Sequence, residues 1–268
     1  MAIFTYELRQ IRFLVLAWAA VCALLLIAMF PNFISIVIDE SGAPKTNVLE
    51  SVDTNNFLQA VDVSAEFLSK PIGMYGFITG WFFGLAFAVI AMHIGLFAHT
   101  KEYLFKSADF LLTKPFSRAK VFVSKLLAAI VSIIIIGLVF WLVSFMALSI
   151  FAPGFDFKLF MLLSCAPIIN MTLFLSVGIF AGTVWPKIRR PLLTSALTMF
   201  VTVMIGTLAQ VTSTDILLFL SPPKYFGGSI VAAAGGYDMR FVIWIIVLNA
   251  ALLTSSFIIY SKKDILTV

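Results

Sequence analysis

TKEYLFKSADFLLTKPFSRAKVFVSK, residues 100–125, separates two apolar runs, Met74–Ala98 and Leu126–Phe151. Lys101, Lys106, Lys114, Arg118, Lys120 and Lys125 stand in it against two acids, Glu102 and Asp109. Read as a helix, Leu104, Ala108, Leu111 and Leu112 share one face, and Glu102 and Lys106 take the favourable i, i+4 spacing. Pro115 should end that helix, because the residue before a proline avoids the helical region and proline has no N–H to donate. Ser117 can cap the helix that follows. Two readings fit such a stretch between apolar runs. It is a short amphipathic helix that transmits a push between two membrane spans, or a basic loop resting on lipid headgroups.

Working outward, six apolar runs are each long enough to cross about 30 Å of hydrocarbon. They are Phe13–Val37, Met74–Ala98, Leu126–Phe151, Leu159–Val184, Leu192–Thr212 and Phe241–Tyr260, and none holds an Asp, Glu, Lys or Arg. Only 12% of the 268 residues are charged and the mean hydropathy is +1.08. Soluble domains carry about 25% charged residues, so the expected class is an all-α integral membrane protein, one domain over residues 1–268. The first run is too long for a signal-peptide core and no small-residue cleavage site follows it, so it is expected to remain as an anchor. Residues 1–12 place Ile3, Phe4, Leu8 and Ile11 near one face, which predicts a helix lying in the interface before the first span.

Charge sets the orientation. With both termini in the cytoplasm, the inner segments hold Arg9, Arg12, the six basic residues of 100–125, Lys187, Arg189, Arg190, Lys262 and Lys263. The outer segments hold only Lys45, Lys70, Lys158, Lys224 and Arg240, as the positive-inside rule requires. The net charge of +5 therefore reads as membrane orientation, with no nucleic-acid partner. Outside, Asp39–Pro71 is long and acidic, with Phe57, Val61, Ala65 and Leu68 on one face of a short helix. APGFDFK (152–158) and PKIRRP (186–191) are tight turns. In 213–240 the proline and glycine pairs around SIVAAA leave a piece too short to cross, either re-entrant or interfacial, which must pack against protein.

Candidate chemistry is sparse. Cys22 and Cys165 lie in apolar runs and read as small buried hydrophobes. No phosphate-cradling glycine loop is present, so the chain is not expected to hydrolyse nucleotide, nor to bind a metal or cofactor of its own. His93, Asn170, Gln210 and Asn249 fall at membrane depth, with Asn32 near the end of the first run. They make interhelical hydrogen bonds, or His93, Asn170, Gln210 and Asn249 line a cargo path. Gly76, Gly80 and Gly84, like Gly178 and Gly182, recur every four residues and allow close helix approach, within one subunit or at a dimer seam. Ion-driven transporters generally carry an ionisable group inside the membrane. With none in these six runs, energy for uphill transport must enter from the cytoplasm, and residues 100–125 offer the surface for it.

Three places resemble the type-2 permeases of ATP-binding-cassette (ABC) exporters. YELRQIRFLVLAW (6–18) is similar to that family's elbow helix entering its first span. Glu102, the FLL of 110–112, Pro115, Ser117-Arg118 and Lys125 resemble its coupling-helix pattern, with Lys106-Ser107 where Gly-Thr is frequent. SPPKYF (221–226) and YSKKDI (260–265) are similar to its C-terminal half. The resemblance implies a half-transporter. Two permease chains, identical or not, would each dock on one ATPase subunit carrying ATP and magnesium, in the plasma membrane of a bacterium. Glu102, Lys106, Asp109, Phe110, Leu111, Leu112 and Arg118 would form the docking surface, and the cargo exported would be hydrophobic or amphiphilic. Two other classes compete. One is an immunity or sensor protein that binds a peptide at the acidic outer loop. The other is a rhomboid-like intramembrane hydrolase, for which His93 lacks a sharp Gly-x-Ser partner.

Overall fold

A computed structural model describes residues 2–37, 65–105, 117–212 and 214–262, and every regular element among them is helical. The expected outer helix over Phe57–Leu68 lies mostly outside the described residues; its last turn is present as α2. Helix α1 spans Ala2–Val37, α2 Ala65–Leu68, and α3 Pro71–Leu104 with a π-helical turn at Thr79–Phe83. Helix α4 spans Arg118–Phe151, α5 Phe157–Val184 and α6 Pro191–Thr212. Short pieces follow: α7 at Asp215–Leu218, a 3-10 turn at Pro222–Lys224, and α8 at Gly228–Ala234. Helix α9, Met239–Lys262, closes the described chain. Among the described residues, six helices (α1, α3, α4, α5, α6 and α9) are long and apolar enough to cross a membrane, in register with the six apolar runs.

Each helix buries one stripe and turns a second apolar face outward. On α1 the buried residues are Ile3, Glu7, Ile11, Val15, Ala19, Cys22, Leu26 and Phe30, while Phe13, Leu16 and Leu24 are exposed. Exposed Ile134, Leu138, Leu197, Phe200 and Ile246 continue that outer apolar surface on α4, α6 and α9. A protein in water rarely shows so much contiguous apolar area, whereas lipid tails cover it without cost.

Two expectations are corrected here. The N-terminal elbow is not a separate helix: residues 2–12 are the first turns of α1, because one buried stripe runs unbroken from Ile3 to Phe30 and no glycine or proline interrupts it. Residues 100–104 do not open a separate helix but complete α3, with Thr100 and Lys101 buried.

Helix α5 is the centre of the bundle, packed between α3 and α9, while α1 lies along α4 and α6 along α3. Helices α3 and α5 approach backbone to backbone. A Cβ at Gly95 would fall 2.8 Å from the Ile179 nitrogen, one at Gly178 would collide with the Met92 carbonyl, and one at Gly182 would lie 3.1 Å from the Leu96 oxygen. Gly178 and Gly182 therefore serve packing inside the subunit, with Gly95 as their counterpart. In the 76–80–84 series only Gly76 packs tightly inside the subunit, where a Cβ would fall 2.9 Å from the Phe67 ring and 3.1 Å from Leu163; Gly80 faces open space and Gly84 meets only its own helix.

The turns follow the sequence chemistry. Gly154 adopts φ 86° in the α4–α5 link, and Asp156 caps α5 by accepting the N–H groups of Lys158 at 2.8 Å and Leu159 at 3.3 Å. Ser117 caps α4 through the N–H of Lys120 at 3.3 Å, as expected. The 214–238 segment packs onto the bundle. Tyr225 and Phe226 are buried with Ala166, Leu173 and Ile245, and the Trp244 indole donates to the Phe219 carbonyl at 3.1 Å. Its irregular backbone at 221–226 is thus covered by protein, while Ile216 and Leu220 stay exposed.

Candidate functional site

At the end of the bundle that carries the basic segments, α1, α3 and α4 converge on four charges. The spacing places them there. Glu7 lies one turn from both Ile3 and Ile11 on the buried face of α1, and Lys101 follows Ala98 on that of α3. Lys125 follows Phe122 on that of α4. Lys101 donates to the Glu7 carboxylate and to Gln10 Oε1. Lys125 donates to Glu102 and to the Ala98 carbonyl, and its ammonium lies 3.4 Å from the other oxygen of Glu7. Glu7 and Lys125 are each 1% exposed, so this is a desolvated network of two acids and two bases.

Charge-charge attraction inside such a site offsets the cost of leaving water best when the remaining donors and acceptors are filled; Gln10 and the Ala98 carbonyl take up lysine protons here, while Glu7 Oε1 has no hydrogen bond and faces only the Lys125 ammonium. An aromatic cluster seals its flank and brings in α9. The His99 ring lies 5.4 Å from Phe122 and 5.6 Å from Tyr260, and Phe122 packs on Phe257 at 5.6 Å. These contacts fix both flanks of the 105–117 segment to the rest of the bundle.

The helical bundle is therefore not free of charge, as the six apolar runs suggested. Glu7, Lys101, Glu102 and Lys125 lie in helical turns beyond those runs, where they neutralise one another. Glu102, expected on a docking surface, turns its carboxylate to Lys125. Arg118 opens α4 and is half-buried. Lys106, Asp109, Phe110, Leu111 and Leu112 lie outside the described residues.

The four polar residues expected along a path sit on four helices, and no hydrogen bond joins any two of them among the described residues. Asn249 ties α9 to α5, accepting from Ser176 Oγ at 2.6 Å and donating to Thr172 Oγ1 at 3.2 Å. Gln210 accepts from Lys224 at 3.0 Å. Asn170 is buried with its Oδ1 unbonded, and the His93 ring lies tilted 5.9 Å from Phe97 with Nδ1 unbonded.

At the opposite end a groove holding about 460 Å³ of open and enclosed space runs between α3, α6 and the 222–228 segment. Gly76, Gly80, Trp81, Val203, Lys224 and Phe226 line it, and the π-helical turn forms part of its wall. π-helical turns inside α-helices are frequent at functional sites. Neither the ion network nor this groove emerged from the apolar runs. The signal for the first was a Glu set between Ile3 and Ile11 at four-residue spacing. The second depends on the fold of residues 221–228, for which the sequence offered no template.

A family model described as "ABC-2 family transporter protein" matches residues 1–265. Comparisons with curated proteins and with solved structures gave no match. The match runs through all six spanning helices, the buried ion network and the groove at the opposite end alike. It accounts for a bundle with apolar outer faces. Permeases of this kind are membrane subunits that normally pair with an ATP-binding-cassette protein and are not themselves catalytic. The chain is a multi-pass membrane protein that belongs to the ABC-2 transporter family, and so a transmembrane permease component of an ABC transporter.

Proposed function

We propose that the chain is one of two permease subunits of an ATP-driven exporter, each docked on one ATPase subunit through residues 100–118. The basic end faces the cytoplasm, in accord with the excess of Lys and Arg there, and the membrane is the plasma membrane. ATP and magnesium belong to the partner. The second permease chain is a copy of this one or a close relative, and the cargo is hydrophobic or amphiphilic.

The observation that carries this reading is the buried network of Glu7, Lys101, Glu102 and Lys125. A force applied to the 105–117 segment reaches α3 through Lys101 and Glu102 and reaches α4 through Lys125. Because both lysines meet Glu7, α1 moves with them. A segment anchored only by loops would dissipate the same push. Within 100–118, Glu102 acts as an anchor, while Lys106, Asp109, Phe110, Leu111, Leu112 and Arg118 supply the contact with the ATPase.

The test is the double variant Leu111→Asp, Leu112→Asp, expressed with its ATPase. Co-purification should be lost while membrane insertion is unchanged. An intact complex with undiminished ATP-dependent transport would remove the docking assignment.

A further inference from the structure

The groove at the non-basic end combines two features that the permease reading leaves unused. Its long wall is apolar and smooth. A Cβ added at Gly80 would meet nothing within 4 Å, and one added at Gly228 would lie 3.4 Å from the Gly76 backbone. From Gly76 to Leu85 the wall runs about 14 Å along α3 at ~1.5 Å per residue. At its rim stands a cation. Lys224 is 8% exposed, donates to Gln210 Oε1 at 3.0 Å, and holds its ammonium 4.8 Å from the Trp81 ring centroid. Beside it Ser221 Oγ is fully buried without a hydrogen-bond partner.

We propose that this groove seats an anionic membrane amphiphile, with its phosphate-bearing head at Lys224 and one acyl chain along the Gly76–Gly80 edge. Charge complementarity selects the occupant. A mostly desolvated ammonium at the mouth of an apolar slot attracts an anion carrying a hydrocarbon chain. A peptide would find few groups in these walls to satisfy its amides. Gly80 leaves the slot free of a side chain that would otherwise enter it, and Trp81 lies where its ring senses both head and chain.

The experiment reads binding alone. The purified chain is reconstituted in dioleoylphosphatidylcholine vesicles doped with brominated-chain phosphatidylglycerol or with brominated-chain phosphatidylcholine. Tryptophan quenching is measured in both, and the signal of a Trp81→Phe variant is subtracted. The Trp81 component should half-saturate at about fivefold lower mole fraction for the anionic lipid, the equivalent of ~1 kcal/mol from one basic residue. Lys224→Gln should abolish that preference and Lys224→Arg should keep it. Lys158→Gln, which removes an exposed cation at the same end, should leave it unchanged. Equal quenching by the two lipids, or a preference that survives Lys224→Gln, overturns the proposal. Coupling is judged separately. Lost ATP-driven transport with intact lipid preference would count against the exporter reading and leave this seat standing.

Discussion

Replacing Glu7 by Gln removes one charge from the centre of the ion network and almost no volume. Lys101 and Lys125 then share a single carboxylate, Glu102, and the network carries a net positive charge in a site where Lys101 is 4% and Lys125 1% exposed. Removing one partner of a buried pair costs about 3–5 kcal/mol, because the remaining charge is left without compensation. For a chain of this size each kcal/mol moves the midpoint of unfolding by about 2–4 °C, so the variant should melt ~6–20 °C lower. Thermal unfolding of the purified chain in detergent, followed by loss of the monodisperse elution peak, measures the shift. The double variant Glu7→Gln, Lys101→Met restores neutrality and keeps the Glu102–Lys125 pair, so it should recover most of the loss. A Glu7→Gln cost below about 1 kcal/mol, the value of a solvated surface pair, would refute the desolvated network. So would additive losses in the double variant.

Three further outcomes follow from the packing. Gly178→Leu forces a side chain into the Met92 backbone and should destabilise the chain by about 1–3 kcal/mol or more. Gly80→Ala, which points into open space, should stay within about 0.5 kcal/mol, and both are read by the same unfolding assay. Asn249→Ala loses two α5–α9 hydrogen bonds worth about 0.6 kcal/mol each, near 1 kcal/mol together. Ser176 and Thr172 keep their bonds to carbonyls of their own helix, so a loss well above 3 kcal/mol would point to a larger role for this asparagine.

Hydropathy sufficed for the six spans because lipid imposes a length and forbids unpaired charge, constraints that act on each segment by itself. It failed where helices outran their apolar cores. The run Met74–Ala98 ends at the first charge, but α3 continues to Leu104 since Lys101 and Glu102 find partners on other helices. Glu7 likewise looked like the polar side of an interfacial helix until α4 supplied Lys125. The pairing of Glu7 with Lys101 joins residues 94 positions apart, and its one local trace is a Glu set between Ile3 and Ile11 on the buried face. Gly95 was missed for a related reason. Its counterpart lies on α5, and close approach is a property of two helices that repeats along one helix only suggest. The groove is less legible still, because Lys224 reads as an ordinary loop cation until the 3-10 turn carries it over Trp81.

The ion network also sets an order of events during synthesis. Glu7 emerges 94 residues before Lys101, the first lysine it meets. At about 5–20 residues per second this carboxylate waits some 5–20 s for its first counter-ion. Until then it is held near the headgroups, where water still reaches it. Helix α1 can take its final depth only after the second and third spans are in place, so it is made before them and settles after them.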